Sequence, residues 1–202
     1  AYEYSFGRGV HITDETAAKI GSEMAKYDIA LSIHAPYYTN FANPDPEMIE
    51  KSIGYVRQSL VAMKKMGGKR VVFHPAACGK QQRAEAVAAT KANIEKMMDE
   101  FNAKLGFDDY ILCPETMGKL GQIGTIEEIN EFCKLAEFFV PTVDFGHVNA
   151  REQGSLKTVA DYKSRLEYMI GELGYEKMKN FHVHFSKIQY SAKGEIRHLT
   201  FA

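Results

Sequence analysis

Six short apolar runs, at residues 2–6, 29–34, 70–74, 110–113, 138–144 and 180–185, alternate with amphipathic stretches of helical period, and this rhythm limits the fold more than any single motif does. A helix between consecutive strands returns the chain in the same direction, so the strands must pair in parallel. Two architectures meet that demand, an open doubly wound sheet and a (β/α)8 barrel. No GxGxxG or Walker loop follows any of the runs, which removes the main support for a nucleotide-binding open sheet. An α/β (β/α)8 TIM barrel is therefore the expected fold class. Asp45-Pro46 reads as a helix cap followed by proline at the first helical position, Thr125-Ile126-Glu127-Glu128 fits a capping box, and Gly67-Gly68 stops the helix before it. Linkers and low-complexity segments are absent from the 202 residues, so a single domain over 1–202 is expected.

Charge and composition narrow the function. The 25 Lys and Arg residues are balanced by 26 Asp and Glu, giving a net charge of -1. A generally basic nucleic-acid binder is excluded, although a local basic rim is not. No apolar run approaches the roughly 20 residues of a spanning helix, and the N-terminus carries no basic stretch followed by an apolar one. The expectation is a soluble, cytoplasmic protein without a membrane partner. Cys78, Cys113 and Cys133 are widely spaced and form no CxxC, which points to reduced, packing cysteines.

The polar residues fall at the strand ends. LSIHAPYY ends at His34, VVFHPAA at His74, ILCPETMG at Glu115, TVDFGH at Asp144 and His147, and FHVHFSK at His182 or His184. Taken singly each has an ordinary explanation; an aspartate after a strand more often caps the next helix than binds anything. Together they carry weight, because parallel barrel strands bring their C-terminal ends to one mouth, where unpaired buried imidazoles and carboxylates would be costly. Nitrogen and oxygen ligands without thiolate suit Zn²⁺, with Mn²⁺ or Fe²⁺ as alternatives. His198 is a further candidate ligand, and His11 is expected at the surface. These candidates exceed the three ligands of one catalytic zinc, so more than one metal is expected. Glu115, central in the strand order, is placed to bridge two ions.

The segments HAPYYTNFANPD, VVFHPAA, PETMGKLGQIG, VDFGHVNA, FHVHFSK and GEIRHLTF resemble, in order and spacing, the successive motifs of the endonuclease IV family, the zinc-dependent apurinic/apyrimidinic endonucleases of base-excision repair. The resemblance implies up to three zinc ions. His34, His74 and Glu115 would hold the first, and Glu115 would bridge to a second held also by Asp144 and His182. His147 would belong to a third, with His198 and Glu195; the family uses an Asp-x-His pair there, whereas this chain reads Glu195-Ile196-Arg197-His198. The implied activity is hydrolytic incision of the phosphodiester on the 5′ side of an abasic site in double-stranded DNA, by hydroxide held between two zincs. Tyr37 matches the tyrosine that enters damaged DNA, with Asn40 near it, and Lys119, Arg151, Lys187, Lys193 and Arg197 follow strand ends where phosphates would pass.

The motifs correspond to the family's second to seventh strands. A shortened barrel is therefore expected, without the first strand and without the eighth, whose glutamate completes the second zinc's shell. Such a chain is expected either to self-associate through the open edges at 2–6 and 180–185 or to retain its fold only marginally, and to have low activity, the complete form being a monomer. The alternatives are a xylose isomerase-like sugar isomerase or epimerase and a noncatalytic remnant. The isomerase would hold one divalent metal with Glu115, Asp144 and His182, leaving His34, His74 and His147 surplus.

Overall fold

A computed structural model describes residues 1–104 and 109–201. In chain order the elements are β1 (Tyr2–Ser5), α1 (Asp14–Lys26), β2 (Leu31–His34), α2 (Pro46–Lys65), β3 (Arg70–Phe73), β4 (Ala76–Ala77), α3 (Arg83–Lys104), β5 (Ile111–Pro114), β6 (Gln122–Ile123), α4 (Ile126–Cys133), β7 (Thr142–Asp144), α5 (Phe145–Arg151), α6 (Val159–Leu173), α7 (Tyr175–Met178), β8 (His182–His184), β9 (Lys187–Ser191) and β10 (Gly194–Leu199).

Strands β1-β2-β3-β5 pair in parallel in that order. Parallel bridges Leu112↔Phe139 and Glu115↔Thr142 continue the series to β7, and β7 pairs in parallel with β8. Six parallel strands thus follow one another in chain order, with the helices between them, as the alternation requires. Each of the six apolar runs supplies one strand. Two antiparallel pieces decorate the C-terminal ends: the short β4–β6 pair and the β9–β10 hairpin.

Burial follows from the pattern of the strands. Ile33, Val71, Phe73 and Leu112 are fully buried against Ile53, Val56 and Leu60 of α2 and Ile94 and Met97 of α3. A second cluster joins Val143 and Phe145 to Met169 of α6 and Met178 of α7. The three cysteines are buried and unbonded, and burial pushes the Cys113 thiol up to about 12, which leaves it protonated and inert. No helix among the described residues is long and apolar enough to cross a membrane.

The expected helix signals act as read. The Asp45 side chain accepts from the Glu47 N–H at 2.9 Å with Pro46 at the first helical position, and Gly67 takes the left-handed conformation (φ +75°) just past the end of α2. Thr125 and Glu128 close the capping box of α4. Glu128 does more than cap: its carboxylate accepts from the Gly124 and Thr125 N–H groups at 2.7 and 2.9 Å and pairs in fork geometry with Arg83, at 2.8 Å to Nε and 2.7 Å to Nη2. Burial alone would raise its pKa, but Arg83 and the two N–H donors hold it below the ordinary 4.5.

Glu128→Gln should therefore cost about 1 kcal/mol, a modest figure because Arg83 is partly exposed. A group depressed in the folded state stabilises fully above its unfolded value and loses that contribution as pH falls through the folded one. In urea titrations, the gap between wild type and Glu128→Gln should be complete above pH 4.5 and close on acidification. A gap unchanged by acid would show that the charge on Glu128 contributes nothing.

Candidate metal centre

Glu115 follows directly on β5 and is 1% exposed, in the floor of a cavity of about 740 Å³ at the C-terminal strand ends. Its two oxygens face two groups. Oε2 lies 3.0 Å from His34 Nε2 and 3.1 Å from His74 Nε2, while Oε1 lies 2.6 Å from His184 Nδ1. Burial opposes ionisation of Glu115, but the contacts with His184, His34 and His74 outweigh it and hold the carboxyl well below the usual range. The chain therefore keeps a full negative charge in its interior, surrounded by imidazoles.

The tautomer of His34 tests whether a cation fits. Its Nδ1 sits 2.7 Å from the Ala35 carbonyl oxygen, which can only accept, so Nδ1 carries a proton and Nε2 shares with Glu115 Oε2 either a second proton or a cation in its place. Burial opposes the second proton, but Glu115 raises the His34 pKa against that effect and favours it. Two lone pairs at 3.0 Å repel unless a proton or a metal lies between them. Burial, the largest influence on His74, lowers its pKa despite the neighbouring carboxylate and so favours the neutral, ligating form. His34, His74 and Glu115 offer donor atoms all within 4.8 Å of one another, a nitrogen and oxygen set that fits zinc or a similar divalent ion.

A second group joins Glu115 and Asp144 to His184. Asp144 serves both readings of its place in the sequence. Oδ1 accepts from the His147 N–H at 2.8 Å as the N-cap of α5, while Oδ2 lies 3.9 Å from His184 Nδ1. The expectation that His182 joins this pair requires correction. In the β7–β8 register His182 lies beside Thr142 and His184 beside Asp144, so the imidazole level with the carboxylate is that of His184. His182 Nε2 instead meets Glu3 of β1 at 2.9 Å. Glu3 also lies 2.9 Å from His184 Nε2, and Glu3, His182 and His184 make a fourth group of donor atoms within 4.8 Å of one another; no local sequence pattern marks Glu3 for the site.

The third group contains Asp144, His147 and His198. His147 Nδ1 donates to the Thr116 carbonyl at 2.8 Å, which turns the Nε2 lone pair toward His198 Nε2 at 3.0 Å. Glu195 Oε2 lies 3.5 Å from the same nitrogen. The odd spacing of Glu195 and His198 is explained by the hairpin. On a regular strand residues three apart point to opposite faces, but the pairing jumps from Glu195↔Tyr190 to Arg197↔Gln189, leaving Ile196 as an unpaired bulge. The bulge absorbs one residue and turns both side chains to His147. Two glycines let the hairpin sit close: a Cβ on Gly194 (φ +89°) would lie 2.2 Å from the Gly118 carbonyl oxygen, and one on Gly118 would lie 2.7 Å from Glu195 Cβ.

The residues expected at DNA divide. Tyr37 lines the cavity, 52% exposed, with its ring centre 5.3 Å from that of His34, and Lys119 is exposed on the same rim. Lys187, Lys193 and Arg197 are exposed on the hairpin, Arg197 donating from Nε to Gln189 at 2.9 Å. Two are engaged within the chain. Arg151 directs Nη1 to the carbonyls of Met117 and Lys119 and Nη2 to those of Leu120 and Gln122, so four donors brace the loop and are taken from any phosphate. Asn40 Oδ1 accepts from the Ala42 and Ala77 N–H groups, holding its own turn to β4. His11 is exposed, as expected.

Comparison with known proteins places these observations in a family. Residues 2–201 match the family described as xylose isomerase-like TIM barrel. An uncharacterized protein, MJ0133, of Methanocaldococcus jannaschii is 34% identical over 199 residues, covering 98% of this chain and 71% of that protein. A probable endonuclease 4 of Acholeplasma laidlawii is 31% identical over 102 residues, 48% of this chain; the match spans only 32% of the relative's length. Among solved structures, a D-tagatose 3-epimerase-like protein superimposes with a TM-score of 0.68 at 16% identity, over 94% of this chain and 69% of its own.

The bulge generates a prediction that separates chain spacing from geometry. Deleting Ile196 should leave Glu195 and His198 on the same face and preserve zinc uptake by the third group. Inserting one alanine between Arg197 and His198 should turn His198 away and remove that uptake, a difference of one metal per chain by elemental analysis. Equal zinc content in the two variants would show that the bulge has no part in placing these ligands.

Proposed function

The chain belongs to the xylose isomerase-like TIM barrel family, and we propose that within it the protein is a metal-dependent phosphodiester hydrolase that incises DNA on the 5′ side of apurinic/apyrimidinic sites. The observation that carries this reading is the number of donor groups: four sets among the described residues, three of them linked through Glu115 and Asp144, where a single-metal isomerase needs one. In this reading His34, His74 and Glu115 hold the first ion, Glu115, Asp144 and His184 the second, and His147, His198 and Glu195 the third. Bound divalent metals, zinc by preference, supply Lewis acidity and lower the pKa of water near neutrality. The likeness to endonuclease 4 sequences supports the same substrate class.

The chain's own residues orient and enclose the reaction. Glu115 holds its two oxygens toward opposite groups and fixes the distance between them. Asp144 is pinned by its capping bond to the His147 N–H, so its second oxygen cannot swing away. The Tyr37 ring stands at the cavity edge, where a flipped or missing base would leave a gap for it to fill. Lys119 beside it and Lys187, Lys193 and Arg197 on the hairpin supply positive charge for the flanking phosphates.

One observation favours a second reading. Glu115, Asp144 and His184 by themselves form a compact acidic set suited to one divalent ion, as a sugar isomerase or epimerase would need. Zinc content distinguishes the two: close to three ions with cleavage of an abasic duplex supports the hydrolase, whereas one ion with turnover of a ketose supports the isomerase.

Two substitutions test the roles assigned. Glu115→Gln should reduce abasic-site cleavage by at least about a hundredfold and lower metal content, since one residue serves two ions. Near-normal cleavage and zinc content would remove the bridging role. Tyr37→Ala should weaken binding to abasic duplex by about 1–3 kcal/mol while leaving zinc content intact. If wild type and Tyr37→Ala bind abasic and intact duplexes equally well, Tyr37 does not read the lesion.

A further inference from the structure

Three histidines facing the cavity have their second ring nitrogen tied to a neutral group. His34 Nδ1 is held by the Ala35 carbonyl at 2.7 Å, His147 Nδ1 by the Thr116 carbonyl at 2.8 Å, and His198 Nδ1 by the Ser186 hydroxyl at 2.7 Å. His184 differs. Its Nδ1 donates to Glu115 Oε1 at 2.6 Å, where a bound cation would take the proton's place, and 2.9 Å from its Nε2 stands a carboxylate oxygen, Oε1 of Glu3. We infer that Glu3 is a positioning residue for the second metal centre: its carboxylate keeps a proton of His184 on Nε2, so that Nδ1 is the nitrogen that would yield its proton to a cation between Glu115 and Asp144, and makes this imidazole a stronger donor.

The geometry around Glu3 suits that role. Its other oxygen, Oε2, accepts from the Ser32 hydroxyl at 3.2 Å and meets His182 Nε2 at 2.9 Å. The carboxylate is thus anchored on one side and free to offer Oε1 to His184 on the other. The contact with His184 is short but bent away from the ring's N–H line, an ion–dipole contact rather than a straight hydrogen bond. A full negative charge tolerates that bend better than a carbonyl would, because its attraction depends on distance more than on direction. Ligating histidines whose outer nitrogen meets a carboxylate are oriented by it and become more basic donors. The arrangement also gives His182 a place: it steadies Glu3, and so acts on the metal centre at two removes.

Glu3 lies in β1 and His184 in β8, the two ends of the parallel series. The Glu3–His184 contact is therefore made within the shared cavity and ties the centre to the strand at the other end of the series. No distance along the chain would suggest this, since 181 positions separate the two residues.

The inference rests on the three-ion reading above, and cobalt substitution tests it separately from activity. The intact apoprotein is titrated with Co²⁺ and followed by its visible absorption; the second-centre equivalent is identified as the one lost in His184→Ala. Glu3→Gln keeps the shape of the side chain and removes its charge. It should weaken that equivalent ten- to hundredfold and shift its spectrum, with the His34–His74 equivalent unchanged as the control for folding. Glu3→Asp, which keeps the charge, should restore part of the affinity. Unchanged affinity and spectrum of the second equivalent in Glu3→Gln would overturn the inference and leave the three-ion reading standing. A wild-type protein that takes up one equivalent only would overturn both. Loss of a whole additional equivalent in Glu3→Gln, with the second-centre spectrum intact, would also overturn it, by making Glu3 a ligand itself.

Discussion

A buried, ionised carboxylate is the constraint to which the rest of the molecule answers. Glu115 sits in the interior with its charge intact, and such a charge is tolerable only if both oxygens are compensated. The imidazoles that hold the compensating proton or cation against it come from three different strands: His34 from β2, His74 just past β3 and His184 from β8. Each of those strands must end at the same height as β5, and the parallel register ensures it, with His34 beside Val72 and Asp144 beside His184. Sheet order and site chemistry are thus one problem. A slip of one strand by a single residue would turn its imidazole to the other face and leave the carboxylate unpaired.

Around this centre, loops are made rigid by backbone carbonyls that accept from charged side chains. Arg83 and Arg151 converge on the segment between Met117 and Gln122, Arg83 reaching the carbonyls of Leu120 and Gln122 while also holding Glu128. The loop so braced offers the surface on which the β9–β10 hairpin docks, through Glu195 N–H to the Gly118 carbonyl and Leu120 N–H to that of Lys193. His198 and Glu195 reach His147 only because this docking is close. The rigidity of the third group is therefore borrowed from two arginines that touch no candidate ligand in it.

The parts of this arrangement visible in the sequence were those carried by local pattern. Glu115, His34 and His74 each close a short apolar run, and parallel strands must bring such closing residues together. The choice between His182 and His184 was not visible, because both have the parity that points inward and only the pairing with Asp144 separates them. Glu3 was hidden for a different reason: it lies within a strand, not at its end, and its partners are distant in the chain. Arg151 looked like a phosphate contact because a residue's position after a strand says nothing about how many carbonyls will converge on it. Fold class rests on periodicity summed over the whole chain, whereas these assignments rest on a single cross-strand register or a single loop.

The bulge at Ile196 has a consequence for how such sites can change over time. Ligand spacing along a chain is usually treated as fixed by the metal, yet the ion responds only to where donor atoms end up in space. A hairpin whose ladder can absorb one residue converts an insertion, ordinarily a frame-shifting event for every side chain beyond it, into a local swelling that the ligands do not register. One residue more or less at position 196 therefore leaves Glu195 and His198 on one face, and distance along the chain is uncoupled there from distance in space.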